Sequence, residues 1–284
     1  MNKILVTGAS GQLGSEIRHL SSQYPFEFIF TDVAELDITD EQAVRHFFET
    51  NKPNAVVNCA AYTAVDRAEE DIETADKINH LAVKYLAQAA QEYGAKLVHV
   101  STDYVFDGNG HRPYDELATP DPQSVYGDTK LKGERAIIEL GIADSAIVRT
   151  SWVYSTFGNN FVKTMRRLGA ERSELNVVAD QVGTPTYARD LAAFILDMLP
   201  DFASPKTELF HFSNEGVCSW YDFALAVMEM SGLDCKVKPI PSEKYPTPAK
   251  RPFYSVMSKE KAKAQLGVEI GHWRDALQRC IGEM

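Results

Sequence analysis

The stretch Ile4-Leu5-Val6-Thr7-Gly8-Ala9-Ser10-Gly11-Gln12-Leu13-Gly14 decides how this chain folds. Ile4, Leu5 and Val6 read as a short strand. Leu13, Ile17 and Leu20 then recur at helical spacing, so the glycines at 8, 11 and 14 lie between a strand and a helix. In that setting Gly8-x-x-Gly11-x-x-Gly14 is a dinucleotide fingerprint. The glycines permit a tight turn and a close approach of backbone to pyrophosphate. The helix that starts there aims its free N–H groups at the anion. Without the strand before it and the helix after it, the same spacing would be an ordinary glycine-rich turn.

Outward from that loop the chain alternates strand and helix. Phe26–Phe30 reads as a second strand ending at Thr31-Asp32. Thr39-Asp40-Glu41-Gln42 reads as a capping box opening a helix with Val44, Phe47 and Phe48. Ala55–Val57 is a third strand, ending at Asn58-Cys59-Ala60-Ala61. Ala75, Ile78, Ala82, Leu86 and Ala89 mark one long helix. Leu97–Val100 is a fourth strand, ending at Ser101-Thr102-Asp103, and Ala146–Val148 is a fifth. This order predicts an α/β fold, a Rossmann-type doubly wound parallel sheet with right-handed crossovers. Its ligands sit beyond the carboxyl ends of the strands, so motifs far apart in sequence should meet at one edge. Residues 1–150 read as the dinucleotide-binding domain. Residues 151–284 read mainly as a smaller C-terminal substrate-binding subdomain, partly interleaved with the first. Helical stretches there fall near 161–168, 189–199, 219–230 and 258–266, between loops such as Gly183-Thr184-Pro185 and Tyr245-Pro246-Thr247-Pro248.

The bulk numbers narrow the function. With 284 residues, 44% hydrophobic, the chain can bury a sizeable core. Lys and Arg number 29 against 40 Asp and Glu, a net charge of −11 that disfavours nucleic acid or an anionic membrane as partner. Cys59, Cys218, Cys235 and Cys280 are scattered, with no C-x-x-C pair, as reduced thiols would be. The chain enters a strand at once and has no long apolar span, which leads us to expect a cytoplasmic protein. None of the seven histidines shows H-x-x-x-H or H-E-x-x-H spacing, so no metal is expected. Glu16 reads as a solvated surface acid.

Asp32, at the end of the second strand, stands where an acid reaches the adenosine ribose; Asp37 is a second acid for the adenine end, beside Ile38. An acid there favours NADH by repelling a 2′-phosphate, but the choice between NADPH and NADH stays open. Tyr126-Gly127-Asp128-Thr129-Lys130 places a phenol and an amine one helical turn apart on one face. A free tyrosine has a pKa near 10, too high for proton exchange at neutral pH. An ammonium about 4 Å away stabilises the phenolate by up to roughly 4 kcal/mol at an effective dielectric near 20, about three pKa units. Thr102, at a strand end, can supply a hydroxyl to hold a reacting oxygen. A tyrosine and a lysine at this spacing are common on any exposed helix. They gain meaning from the glycine loop in the same chain.

At this point the chain resembles the extended short-chain dehydrogenase/reductase family, in its nucleotide-sugar reductase branch. The likeness rests on Gly8–Gly14, on Val57-Asn58-Cys59-Ala60-Ala61-Tyr62-Thr63-Ala64-Val65-Asp66, and on Ser101-Thr102-Asp103-Tyr104-Val105-Phe106. It continues in Val125–Lys130, Arg149-Thr150-Ser151-Trp152-Val153-Tyr154 and Arg251-Pro252. The resemblance implies that Tyr126 is a general acid and that Lys130 tunes it while binding the nicotinamide ribose. It implies that Gly11, Gln12 and Leu13 lie against the cofactor pyrophosphate, that Gly8, Ser10 and Gly14 also bind the cofactor, and that Ala60, Ala61 and Tyr62 line the dinucleotide path. It further implies a dTDP-sugar substrate touched by Thr102, Asp103 and Tyr126, with Trp152 packed on the sugar and Arg251 near the nucleotide diphosphate. Related sugar dehydratases carry an Asp-Glu pair after the threonine. Here Asp103-Tyr104 follows Thr102, so elimination of water is disfavoured. A nucleotide-sugar epimerase and a non-catalytic regulatory subunit of the kind that partners methionine adenosyltransferase remain alternatives. A homodimer is left open.

Overall fold

Residues 2–284 are described by a computed structural model of the protein. Five strands, β1 (Lys3–Thr7), β2 (Glu27–Thr31), β3 (Ala55–Asn58), β4 (Lys96–Thr102) and β5 (Ala146–Thr150), join a sixth at Glu208–His211 in one parallel sheet. The spatial order is Glu208–His211, β5, β4, β3, β1, β2. The chain runs outward from β1 to β2, then crosses to the other side of β1 to lay down β3. That reversal opens a crevice at the carboxyl ends of β1 and β3.

Alternation along the strands sorts the core into two faces. Val6, Val57 and Val148 pack with Ile17 of helix α1 (Gln12–Leu20) and with Leu191 and Ile195 of the helix Ala188–Met198. Leu5, Val56, Leu97 and Ile147 face the other way, onto Phe48 of helix α2 (Glu41–Asn51), Leu86 and Ile137. Each such buried side chain contributes about 1.5–3 kcal/mol relative to exposure. A third cluster, with Tyr154, Phe223, Val227, Trp273 and Leu277, fills a lobe built from helices Phe161–Glu171, Trp220–Ser231 and Trp273–Gly282. A parallel pair, Glu174–Val178 with Lys236–Ile240, belongs to that lobe. After Thr150 the chain therefore builds the lobe but also returns to the sheet, through the Ala188–Met198 helix and the sixth strand.

One local expectation is corrected and another is refined. The cap of α2 is Asp40, not Thr39. The Asp40 carboxylate accepts from the N–H groups of Gln42 (2.9 Å) and Ala43 (3.1 Å), while Thr39 turns back to Asp37. A carboxylate at that position serves the free N–H groups and the helix dipole better than a hydroxyl one residue earlier. The long helix read through Ala75, Ile78, Ala82, Leu86 and Ala89 is present from Ile72 to Tyr93, and it carries a π turn at Lys77–Leu81. Buried Asn79 lies in that π turn. Its side chain clasps the backbone of Tyr62 through both amide atoms (2.9 and 3.2 Å) and donates to Thr129 (3.2 Å). Its carbonyl presses on Gly133, where any side chain would collide. An extra residue in the turn makes those contacts reachable.

Candidate active site

A cleft of about 830 Å³ opens along the carboxyl edge of the sheet. Its floor at one end is the glycine loop. Gly8 has φ +63°, and a Cβ there would lie 2.7 Å from the Ala60 amide nitrogen. At Gly14 a Cβ would overlap the Gly8 carbonyl and the Ala9 backbone. The loop is thus folded tightly on itself and on the chain after β3. Gly11 caps α1 without any side-chain hydrogen bond, which leaves the first N–H groups of that helix unclaimed at the cleft. A cradle of bare backbone with free donors fits a pyrophosphate.

Gly8, Gly11, Gln12, Leu13, Asp32, Asp37, Ile38, Ala60 and Ala61 all line this cleft. Ser10, Gly14 and Tyr62 do not. Ser10 gives its N–H (3.0 Å) and its hydroxyl (2.5 Å) to one oxygen of Asp32. Gly14 packs beneath the loop, and the Tyr62 hydroxyl donates to Asp71 (3.1 Å). The Asp32 carboxylate is therefore tied back to the glycine loop through one oxygen. Asp37 is held below the usual carboxylate range by hydrogen bonds from the Thr39 hydroxyl and N–H.

The other end of the cleft gathers Thr102, Asp103, Tyr104, Tyr126, Lys130 and Trp152. Tyr126 lies in the first turn of the helix Val125–Leu140, whose cap, the Ser124 hydroxyl, accepts from the Gly127 N–H (3.2 Å). Gly127 lets this turn press against the Tyr104 carbonyl. The rings of Tyr104 and Tyr126 meet edge to face at 5.5 Å. Asp103 is 2% exposed. One of its oxygens accepts from the Thr102 hydroxyl (3.1 Å), and the other has no hydrogen-bond partner. Burial pushes its carboxyl up to about 6, with Ser255 and Thr102 offsetting part of the rise.

The expectation that Lys130 depresses the Tyr126 phenol is corrected by this geometry. Desolvation of its hydroxyl pushes Tyr126 well above the ordinary tyrosine value, the Thr102 hydroxyl offsets part of this, and Asp103 and Tyr104 add to it. Lys130 is only 1% exposed, and burial pushes its amine down to about 8. Its Nζ donates to the Val100 carbonyl (2.7 Å) and lies 3.2 Å from His99 Nε2. The cost of burying charge outweighs the attraction counted from spacing alone. A phenol that keeps its proton at neutral pH is nonetheless what a proton donor requires.

Trp152 adopts φ +48°, an uncommon backbone for a bulky residue. Its ring stacks on Trp220 with centroids 3.6 Å apart, and Gly183 leaves room for it. Arg251 does not line the main cleft. Its guanidinium donates to the Tyr104 hydroxyl (2.9 Å) and pairs with Asp66. Glu16 is not the surface acid read from sequence. It is fully buried, accepting from Ser155 (2.6 Å) and Arg189 (2.8 Å). Among the described residues no group of three or more His, Cys, Asp or Glu side chains is arranged to hold a metal, and no helix is long and apolar enough to cross a membrane. Sequence reasoning missed Tyr104, Trp220 and the contact of His99 with Lys130. The only signal for Tyr104 was its place in the block Ser101–Phe106; for Trp220 there was none.

The family described as RmlD substrate binding domain matches residues 1–284. The chain is 44% identical to the spore coat polysaccharide biosynthesis protein SpsK of Bacillus subtilis, over 100% of this chain and 98% of that protein. A solved dTDP-4-dehydrorhamnose reductase from Clostridium acetobutylicum superposes with a TM-score of 0.95 at 47% identity, covering 99% of each chain. Another from Bacillus anthracis, in complex with NADP, superposes with a TM-score of 0.95 at 38% identity, covering 100% of each.

Proposed function

From the premise that this chain belongs to the RmlD substrate binding domain family, we propose that it reduces the C4 ketone of dTDP-4-dehydro-L-rhamnose to give dTDP-L-rhamnose. It is an NAD(P)H-dependent oxidoreductase. The product is an activated deoxysugar of the kind consumed in building cell-surface polysaccharide. The observation that carries this reading is the placing of the Tyr126 phenol and the Thr102 hydroxyl in the same cleft as the glycine cradle, where burial favours the protonated phenol.

Of the residues lining the cleft, Gly8, Gly11, Gln12 and Leu13 would hold the pyrophosphate, Asp32, Asp37 and Ile38 the adenosine end, and Ala60 and Ala61 the path between. When bound, the reduced nicotinamide supplies a hydride. On substrate binding the Thr102 hydroxyl turns its one proton from Asp103 to the C4 oxygen and orients it. Tyr126 gives that oxygen its proton as negative charge develops, so one hydride and one proton add across the carbonyl. Asp103 accepts from a sugar hydroxyl with its unpartnered oxygen. The stacked Trp152 offers an apolar face to the deoxysugar.

The test is oxidation of NADPH and of NADH, followed by absorbance, with and without dTDP-4-dehydro-L-rhamnose. Rapid oxidation that depends on the sugar supports the reading and ranks the two cofactors. Folded protein that binds dinucleotide but shows no sugar-dependent oxidation overturns it.

A further inference from the structure

Behind Tyr104, outside the main cleft, lies an ion pair that the proposed mechanism does not use. Asp66 stands on the short helix Val65–Ala68, which follows Ala60, Ala61 and Thr63 of the cleft wall. The Arg251 guanidinium divides between two partners: Nη1 donates to the Tyr104 hydroxyl (2.9 Å) and Nη2 to Asp66. The other Asp66 oxygen accepts from the Ala249 N–H (3.3 Å), which ties the backbone before Arg251 to the same carboxylate. A planar fork can serve a hydroxyl and a carboxylate at once. The paired side chains are 24% and 41% exposed. An ion pair so open to water contributes little to stability. What it does hold is the Tyr104 phenol. Burial pushes that phenol up to about 12 despite the charge beside it, so it accepts as a neutral hydroxyl.

Tyr104 in turn bounds Tyr126. The start of the helix Val125–Leu140 fixes the Tyr126 backbone, because Glu69 accepts from the Val125 N–H (2.9 Å) and Ser124 from the Gly127 N–H (3.2 Å). The side-chain torsions of Tyr126 still decide where its hydroxyl points. The Tyr104 ring meets the Tyr126 ring edge to face, with centroids 5.5 Å apart and planes at 78°, a contact whose geometry depends on the setting of both rings. Tyr104 lines the main cleft and also a small hollow that holds Arg251 and Pro252. Its ring is the wall between Arg251 and the reacting end of the cleft.

We propose that Arg251 is a positioning residue: braced by Asp66, it fixes the Tyr104 hydroxyl, and the Tyr104 ring so fixed keeps the Tyr126 phenol aimed at the substrate oxygen. The effect on turnover rests on the reductase reading. A general acid acts only within hydrogen-bond reach of the oxygen it protonates, and a misplacement of about 1 Å costs up to about a hundredfold. Arg251 serves proton delivery without touching the substrate. To bind the nucleotide diphosphate instead, it would have to leave both partners and pass Tyr104.

The test is a double-mutant cycle on single turnovers of the NADPH-loaded full chain with saturating dTDP-4-dehydro-L-rhamnose. Arg251→Met and Tyr104→Phe should each slow NADPH oxidation about tenfold to a hundredfold, with the affinities for dTDP and NADPH unchanged. Both break one contact, so the double variant should be no slower than the slower single one. Losses that multiply overturn the proposal, since Arg251 would then act by another route. So does a weaker affinity for dTDP with the saturated rate unchanged, which puts Arg251 on the diphosphate. Proton NMR of the tyrosine rings, without cofactor or sugar, is the second readout, with Tyr126 assigned from Tyr126→Phe. The Tyr126 resonances should move in Arg251→Met, and also in Tyr104→Phe, where the ring stays and only its anchor is lost. Unmoved Tyr126 resonances in folded Arg251→Met overturn the proposal. If Arg251→Met does not fold, Asp66→Asn, which removes the charge bracing Arg251, takes its place in both readouts. Failure of the reductase reading shows separately, as absent sugar-dependent oxidation in the parent, while the resonances still decide the role of Arg251.

Discussion

Lys130 and Glu134 stand one turn apart on the same helix, and both are fully buried. Glu134 meets Arg149 in a two-pronged pair. Lys130 meets a carbonyl and an imidazole. The first arrangement neutralises its charge and ties the helix to β5. The second leaves its charge uncompensated at the edge of the cleft. Mutual neutralisation marks the part of the helix that holds the fold, and uncompensated burial marks the part that faces the cleft. Asp103, with one bare oxygen, belongs with Lys130 in this respect.

The largest effect on stability should come from breaking the satisfied pair. Arg149→Met leaves Glu134 buried alone, and chemical denaturation should show a loss of about 3–5 kcal/mol. Lys130→Met should move the other way. The amine is pushed down from 10.5 to about 8 in the folded protein. The unfolded chain therefore binds more protons between those values, and the parent carries the full penalty below pH 8. The variant should gain about 1–3 kcal/mol at pH 7, with the gain fading as pH rises through 8 and beyond. If both variants lose stability alike, the contrast between the two charges is wrong.

Asp103→Asn sharpens the same point from the acidic side. Its carboxyl is pushed up from 3.8 to about 6. For an acid this means that the parent loses stability as pH rises from about 4 to about 6 and carries the full penalty above that. Thermal or urea melts should show the variant more stable by about 1–3 kcal/mol above pH 6 and level with the parent below pH 4. A constant difference across that window would deny the bare carboxylate its place. The smallest effect should follow Trp220→Leu. Removing the ring beneath Trp152 costs about 0.5–1.5 kcal/mol of stacking. The KM for the sugar should rise severalfold while that for the dinucleotide stays put.

The sheet and the glycine cradle were legible because they are periodic and local. A strand, three glycines and an apolar stripe each leave a repeating trace, and Tyr126 and Lys130 could be placed on one face by counting. What escaped depends on partners distant in sequence. The π turn at Lys77–Leu81 carries Asn79, which reaches Tyr62 and Thr129. Glu16 looked solvated until Arg189 and Ser155 closed over it. Arg251 carried a charge suited to a diphosphate, yet Asp66 and Tyr104 hold it outside the main cleft. The shift of the Tyr126 phenol was judged from its spacing to Lys130, whereas the burial of its own hydroxyl, which spacing does not report, pushes it upward.

The central claim is that Tyr126 delivers the proton, and a single turnover measures it most directly. Tyr126→Phe, loaded with NADPH and mixed with excess dTDP-4-dehydro-L-rhamnose, should oxidise the cofactor about two to four orders of magnitude more slowly than the parent, with NADPH affinity unchanged. Oxidation at the parent rate would contradict the account.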